Sequence, residues 1–450
     1  MGREIRRVLI ANRGEIALRV IRACRELGIE TVQVYSEADK NSLPVRMADR
    51  SVCIGYPRAT DSYLNMQAII GAALAFKADA IHPGYGFLSE NASFSDECVR
   101  NGLNFIGPTG DVIRKMGDKA VARKLARDAG VPTTPGSEGV IETVHDARAV
   151  AERVGYPLLL KAVAGGGGRG MRIVRESAEL ERAFQDATRE AKMAFGNGAM
   201  YAERFLSEVR HIEIQVLGDG SNVLHLGERD CSTQRRNQKL IEESPSPVLD
   251  EKMRARIGEA AVRLATHVGY TSAGTVECIL DEAAGEFYFM EMNTRIQVEH
   301  PVTEMVTGID LVKQQLLIAA GKPLDLIQDD IKLRGHAIEC RINAEDPDNG
   351  FMPNPGCVQE YRAPGGPGVR VDSHLFSGYD IPPFYDSLLG KVICWGETRQ
   401  EAISRMQRAL DELVVAGVCT TSSFHQKLLS DDQFKSGNIH TRYVEDAFKH

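Results

Sequence analysis

No stretch of about 18 uncharged apolar residues occurs in the 450-residue sequence, so no segment reads as a membrane-spanning helix. It also lacks any C-x-x-C pair. Its nine cysteines (Cys24, Cys53, Cys98, Cys231, Cys278, Cys340, Cys357, Cys394 and Cys419) are odd in number and widely spaced, which excludes a zinc site and a disulfide framework and predicts reduced thiols. Basic residues are not in excess: 54 Lys and Arg face 62 Asp and Glu, a net charge of -8. That balance argues against broad nucleic-acid binding and confines any anion site to a local pocket. The absence of G-x-x-x-x-G-K-[ST] removes the P-loop as a means of holding nucleotide. Repeats and low-complexity tracts are missing as well. Strand-like Val8-Leu9-Ile10 follows the first residues so closely that no signal or transit peptide is expected, and the expected location is the cytoplasm.

What is present is an ordinary globular composition, 43% hydrophobic and 26% charged, on a chain long enough for two or three domains. Up to about Gly117, short apolar runs (Val8 to Ala11, Thr31 to Tyr35, Ala80 to His82, Phe105 to Ile106) alternate with helix-like segments (Glu15 to Leu27, Tyr63 to Phe76, Ser93 to Val99). Such alternation predicts a parallel α/β unit. A charged helix from Lys119 to Ala129 stops at Gly130, and Val131-Pro132-Thr133-Thr134-Pro135-Gly136 marks a hinge. The division expected is 1–117, 118–330 with a lid at 132–205, and 331–450. Overall the class is α/β in the first unit and α+β for the whole.

Gly165-Gly166-Gly167-Gly168-Arg169-Gly170 formally satisfies G-x-G-x-x-G, but that fingerprint needs a helix after it, and Met171 to Val174 reads as a strand. The run is therefore a hairpin tip, either a mobile loop or a backbone cover for phosphates. Lys161, embedded in the apolar Leu158-Leu159-Leu160-Lys161-Ala162-Val163, favours the second, because a lysine there needs an anion or a path to water.

Thr275 to Leu280, a turn at Asp281 to Glu286, and Phe287 to Asn293 form a hairpin whose register, within one residue, sets Glu277 opposite Glu291. Facing carboxylates repel unless a cation lies between them, and Asn293 shares the face of Glu291; these hard oxygen donors describe Mg²⁺. If the chain stays extended, Glu291, Asn293, Arg295, Gln297 and Glu299 share one side, and Met292, Thr294, Ile296 and Val298 the other. A solvated strand face explains most such alternations. The strongly apolar context of Glu291 and the acid, amide, arginine, glutamine, acid order favour a functional one. Glu228 to Lys239, read alone, fits a mixed-charge surface loop, and His82 to Phe87, Arg341 to Pro347 and Pro382 to Ser387 fit ordered turns.

Together, Ile10-Ala11-Asn12-Arg13-Gly14-Glu15-Ile16-Ala17, His82 to Asn91, Lys161 with its glycine run, Glu228 to Lys239, Glu291 to Glu304 and Arg341 to Pro347 make a pattern that resembles the biotin carboxylase family of the ATP-grasp superfamily along essentially the whole chain. The resemblance implies an ATP-grasp fold with a Rossmann-like first domain, a glycine-rich lid and a C-terminal domain. It implies ATP held by Lys119, Lys161, Gly165, Gly166, Gly167, Gly168, Glu203, Arg204, Phe205, Leu206, His211, Gln234 and Asn237, with Mg²⁺ or Mn²⁺ on Glu277, Glu291 and Asn293. Bicarbonate would rest on Lys239, Arg295, Gln297 and the backbone of Val298, with Glu299 as general base, Arg341 steadying a biotin enolate, and Tyr85 and Asp386 near biotin. The family commonly has histidine where this chain has Asn237, which puts one nucleotide contact in doubt.

The implied activity is ATP-dependent carboxylation of biotin through carboxyphosphate. No Ala-Met-Lys-Met sequence occurs and no length is left for a carboxyltransferase, so a biotin carboxyl carrier protein and a carboxyltransferase are expected on other chains. A homodimer is implied by resemblance alone. The final acceptor stays open among acetyl-CoA, other acyl-CoA esters and pyruvate. Another ATP-grasp ligase and a non-catalytic nucleotide-binding regulator are the competing readings.

Overall fold

In the computed structural model, residues 4–163 and 170–448 are described; Gly165, Gly166, Gly167 and Gly168 lie outside them. Val8, Leu9 and Ile10 are wholly buried, as in a strand covered on both faces. They belong to β1 (Arg7–Ile10), the centre of a parallel sheet with β2 (Glu30–Ser36), β3 (Arg50–Gly55), β4 (Ala80–His82) and β5 (Asn104–Phe105), in the order β3-β2-β1-β4-β5. Helices Gly14–Glu26, Met66–Ala75 and Ala92–Arg100 make the crossovers. The second starts three residues later than its apolar pattern suggests. Asn65 caps it by accepting from the Ala68 N–H, and Tyr63 is left outside to stack on Phe87 with ring centroids 5.0 Å apart.

Past Gly136, β6 (Leu158–Ala162), β7 (Met171–Val174) and β8 (Met200–Arg204) form a small antiparallel sheet, β7-β6-β8, packed against helices Val144–Val154 and Ser177–Phe195 around a core of its own. β6 pairs antiparallel with β7, Leu158 opposite Val174 and Lys161 opposite Met171, and the expected hairpin tip at the glycine run lies outside the described residues.

The rest of the chain is built on eight antiparallel strands. These are β9 (Arg210–Asp219), β10 (Val223–Arg235), β11 (Gln238–Ser244), β12 (Thr271–Asp281), β13 (Glu286–Asn293), β14 (His336–Asn343), β15 (Val369–Ser373) and β16 (Leu388–Gly396), in the order β13-β12-β9-β10-β11-β14-β16-β15. The sheet runs without a break through β11 and β14, where Ile241 pairs with Cys340 and Glu242 with Glu339. Helix Glu251–His267 covers β10 and β9, with Leu264 in one core with Ile212 and Phe289, while helix Arg399–Glu412 covers β14 and β16.

A further core joins Val8, Ile16 and Val20 of the parallel unit to Leu217 and Ala273 of the large sheet, with Ile296 and Leu311 between them. Ile296 is thus an apolar anchor in the middle of the polar Glu291 to Glu299 stretch. All nine cysteines are free. Among the described residues, no helix is long and apolar enough to cross a membrane.

Candidate active site

The register expected for the β12–β13 hairpin is the one found: Glu277 stands opposite Glu291 and Thr275 opposite Asn293, with a bulge after Glu277. The extended run expected past Asn293 is not found. β13 ends at Asn293, the chain bends at Thr294 and Arg295, and a turn at Val298 and Glu299 leads into helix His300–Thr307. Glu90, from the parallel unit, accounts for the bend. It accepts from the Thr294 N–H at 2.9 Å and from Arg295 Nε at 2.9 Å, pulling the chain off the sheet while Ile296 drops into the shared core. Strict alternation is lost with the extended backbone. Glu291, Asn293, Arg295, Gln297 and Glu299 still line one cleft, and Val298, assigned to the other side, lines it with them.

Lys239, on β11, occupies the middle. Its Nζ donates to Glu213 at 2.6 Å, to Glu299 at 2.6 Å and to Glu277 at 3.1 Å. The other oxygen of Glu299 accepts from Arg341 at 2.8 Å, and Arg341 Nε reaches Glu242 at 2.6 Å. Glu277 also accepts from Asn293 at 2.8 Å and Gln297 at 2.7 Å, and lies 3.0 Å from His211 Nε2. Arg295 Nη2 donates to Asn293 Oδ1 at 3.1 Å. Buried charges are tolerable only when so completely paired.

Burial opposes ionisation of Glu299, but Lys239 and Arg341 outweigh it and hold the carboxyl well below the usual range. Glu277 is likewise held low against its burial by Lys239 and His211. Glu291 shifts the other way, raised by burial and by the facing Glu277. Glu242, pushed up to about 7 by burial, is pulled back in part by Arg341.

Lys161, His211, Gln234, Asn237 and Arg341 line the same cleft. The anion beside Lys161 is Glu203, which also accepts from Arg123 at 2.8 Å. Lys119 borders an adjoining pocket with Arg123 and Tyr201, close enough for its charge to act on Glu291. Arg204 and Phe205 are tied by their backbone N–H groups to Pro135 and Pro157, and neither they nor Leu206 are among the cleft-lining side chains. Tyr85 and Asp386 share a separate pocket with Arg13 and Glu15, where the Tyr85 hydroxyl donates to Glu15.

Glu213, Arg229 and Glu242 escaped the sequence reading. Arg229 is fully buried and donates to Glu213, to Gln215 at 2.7 Å and to Thr303 at 2.9 Å, so it braces the carboxylate behind Lys239. The available signal was the strand period: Arg229 alternates with Cys231 and Thr233 along β10. The loop reading of Glu228 to Lys239 hid that period, since Glu228 to Arg235 are strand. Apolar walls from Leu159, Met171, Ile279 and Met290 also face the cleft.

A small three-stranded antiparallel sheet with its own core, beside a larger antiparallel sheet that carries paired carboxylates and lysines, is the arrangement of an ATP-grasp protein. Residues 118–327 match the model of the carbamoyl-phosphate synthase L chain ATP-binding domain. The flanking stretches match biotin carboxylase domains, the N-terminal one at 4–113 and the C-terminal one at 339–446. The chain belongs to the biotin carboxylase family of ATP-dependent ligases. It is 57% identical to the biotin carboxylase of Nostoc over 444 residues, 98% of this chain and 99% of that protein. Its fold matches the crystal structure of a biotin carboxylase complex from Campylobacter jejuni with a TM-score of 0.94 at 50% identity, covering 98% of this chain and 99% of the other. It also matches the biotin carboxylase domain dimer of Hydrogenobacter thermophilus 2-oxoglutarate carboxylase, in complex with MgADP, ADP and bicarbonate, with a TM-score of 0.92 at 51% identity, covering 98% and 97%.

Proposed function

We propose that the chain carboxylates biotin borne on a separate carrier protein, using bicarbonate and ATP, with Glu299, Lys239 and Arg341 at the reacting centre. The observation that carries this reading is the convergence of Lys239 Nζ and Arg341 Nη2 on the two oxygens of Glu299, at 2.6 and 2.8 Å, beside the Glu277 and Glu291 pair. A small anion entering there meets two cations, the Arg295 guanidinium, the Gln297 amide and the backbone at Val298.

Glu277, Glu291 and Asn293 fit Mg²⁺ or Mn²⁺: they are two carboxylates and an amide oxygen, and Glu291 has a raised proton affinity that a cation would relieve. Bound there, the ion would neutralise phosphate charge during transfer. Lys161 and Lys119 would hold phosphates. Leu159, Met171, Ile279 and Met290 suit a flat base.

Bicarbonate is a poor nucleophile until its proton is removed, and Glu299 is positioned for that removal. Paired with Lys239 and Arg341 it is a weak base. A bicarbonate inserted among the three shares those cations and raises the proton affinity of Glu299 at the moment of need. Attack on the γ-phosphate expels ADP and gives carboxyphosphate, which breaks to CO₂ and phosphate, and the released phosphate takes the ureido proton of biotin. Biotin, deprotonated at its ureido nitrogen with its enolate oxygen facing Arg341, captures the CO₂. The Tyr85 and Asp386 pocket suits the biotin ring.

The carrier and the carboxyltransferase would be other chains, and a homodimer is the assembly we infer from the dimer of the Hydrogenobacter relative. Purified protein is expected to cleave ATP in the presence of bicarbonate and Mg²⁺, and free biotin is expected to accelerate it. A rate indifferent to biotin would sink the assignment in favour of another ATP-grasp ligase.

A further inference from the structure

The reading above gives the Val298 N–H a ligand, and a backbone donor can be aimed only by fixing the planar peptide that carries it. Two fully buried side chains outside the cleft lining do so. His300 opens helix His300–Thr307, and its Nδ1 lies 2.7 Å from the Gln297 carbonyl oxygen. A carbonyl only accepts, so Nδ1 bears the hydrogen. That oxygen and the Val298 N–H belong to one trans peptide, so holding the oxygen back toward the helix turns the N–H the opposite way. Lys391, on β16, donates from Nζ to the Val298 carbonyl at 2.6 Å and fixes the next peptide plane.

Their surroundings suit this work. Burial, with Lys391, Arg19 and Arg370 nearby, keeps the His300 ring neutral, and its Nε2 makes no hydrogen bond among the described residues, lying 4.0 Å from Glu304. Lys391 faces Arg341 on β14 and Asp372 on β15, and pairs with Glu15 at 3.1 Å, the carboxylate that accepts from Tyr85. A lysine with no solvent exposure is tolerated only for what its ammonium holds.

We propose that His300 and Lys391 are positioning residues for bicarbonate: by holding the carbonyl oxygens of Gln297 and Val298 they aim the Val298 N–H into the cleft, where a small planar oxyanion accepts from it. The inference rests on the bicarbonate reading of the site. It extends that reading to two side chains that touch no substrate.

The test uses the full chain and bicarbonate-dependent ATP cleavage with His300→Ala, His300→Asn and Lys391→Met. Loss of one aimed hydrogen bond is expected to raise KM for bicarbonate about tenfold in His300→Ala and Lys391→Met, with KM for ATP changed less than about twofold. His300→Asn, whose amide can donate to the same carbonyl, is expected to recover most of the affinity. A folded His300→Ala with native bicarbonate KM would overturn the proposal, as would equal rises in both KM values. Failure of all three variants to fold would also overturn it, leaving the pair as scaffolding. If the native chain itself shows no bicarbonate dependence, the functional reading has failed, and the variants are not reached.

Discussion

In the function proposed for the cleft, Glu299 is the side chain on which the reaction turns. Both of its oxygens are committed, one to Lys239 and one to Arg341, and Arg341 is held in turn by Glu242. Glu299→Gln keeps the shape and removes the charge. It is expected to lower the biotin-stimulated rate by at least about a hundredfold while nucleotide affinity changes little, as read by steady-state kinetics and by nucleotide titration. Of these residues, Glu299, Lys239 and Arg341 were legible from their motifs, but their mutual contact was not, because they sit on three separate segments that only the sheet brings together. Glu213 and Glu242 were illegible for a related reason. Nothing local distinguishes a buried glutamate that anchors a lysine from one that faces water.

At the scale of elements, the β10–β11 connection shows what a residue type contributes beyond contact. Arg236 and Asn237 both have positive φ, 49° and 64°, between the paired Arg235 and Gln238, the geometry of a tight two-residue hairpin turn. Asparagine tolerates that conformation better than most side chains. Asn237→Ala is therefore expected to cost about 1 kcal/mol, seen as a lowered urea midpoint, with bicarbonate KM unchanged. The other end of β11 carries a charge cluster with a pH signature. Burial opposes ionisation of Glu243, but its hydrogen bond from His336 and the charge of Arg399 outweigh it and bring the carboxyl down to about 2. A depressed carboxyl stabilises the fold above its ordinary range, and that contribution is lost as pH falls through the window from about 4.5 to about 2. The native chain is expected to lose on the order of 3 kcal/mol more than Glu243→Gln over that window, by denaturant titration at successive pH values. The hairpin register of Glu277 and Glu291 could be read in advance because alternation and turn length fix it. The end of β13 could not, since it depends on Glu90, about two hundred residues earlier, a pull that no local pattern records.

For the molecule as a whole, the parallel first unit and the strands β6 and β7 were plain in the order of apolar runs. The continuity of the eight-stranded sheet was not: a boundary near residue 330 looks natural in the sequence, yet β11 on one side of it is paired with β14 on the other. Non-local strand pairing leaves no mark on the segment between. Ending the chain at 330 would strip β11 of its neighbour and expose Leu240 and Ile241, which are buried. Such a fragment is expected to show no cooperative thermal transition and to aggregate, whereas the full chain melts cooperatively; scanning calorimetry and light scattering distinguish the two.

The three carboxylates gathered around Lys239 carry a last consequence. Before any substrate arrives, the charges of the cleft are already balanced by one another, so an incoming anion cannot simply be added. It must share Lys239 and Arg341 with Glu299, as competing counterions share the fixed charges of an ion-exchange resin. Its affinity is then the small difference between two large attractions, which favours loose retention, rapid release of phosphate after each cycle, and selection by shape rather than by charge alone.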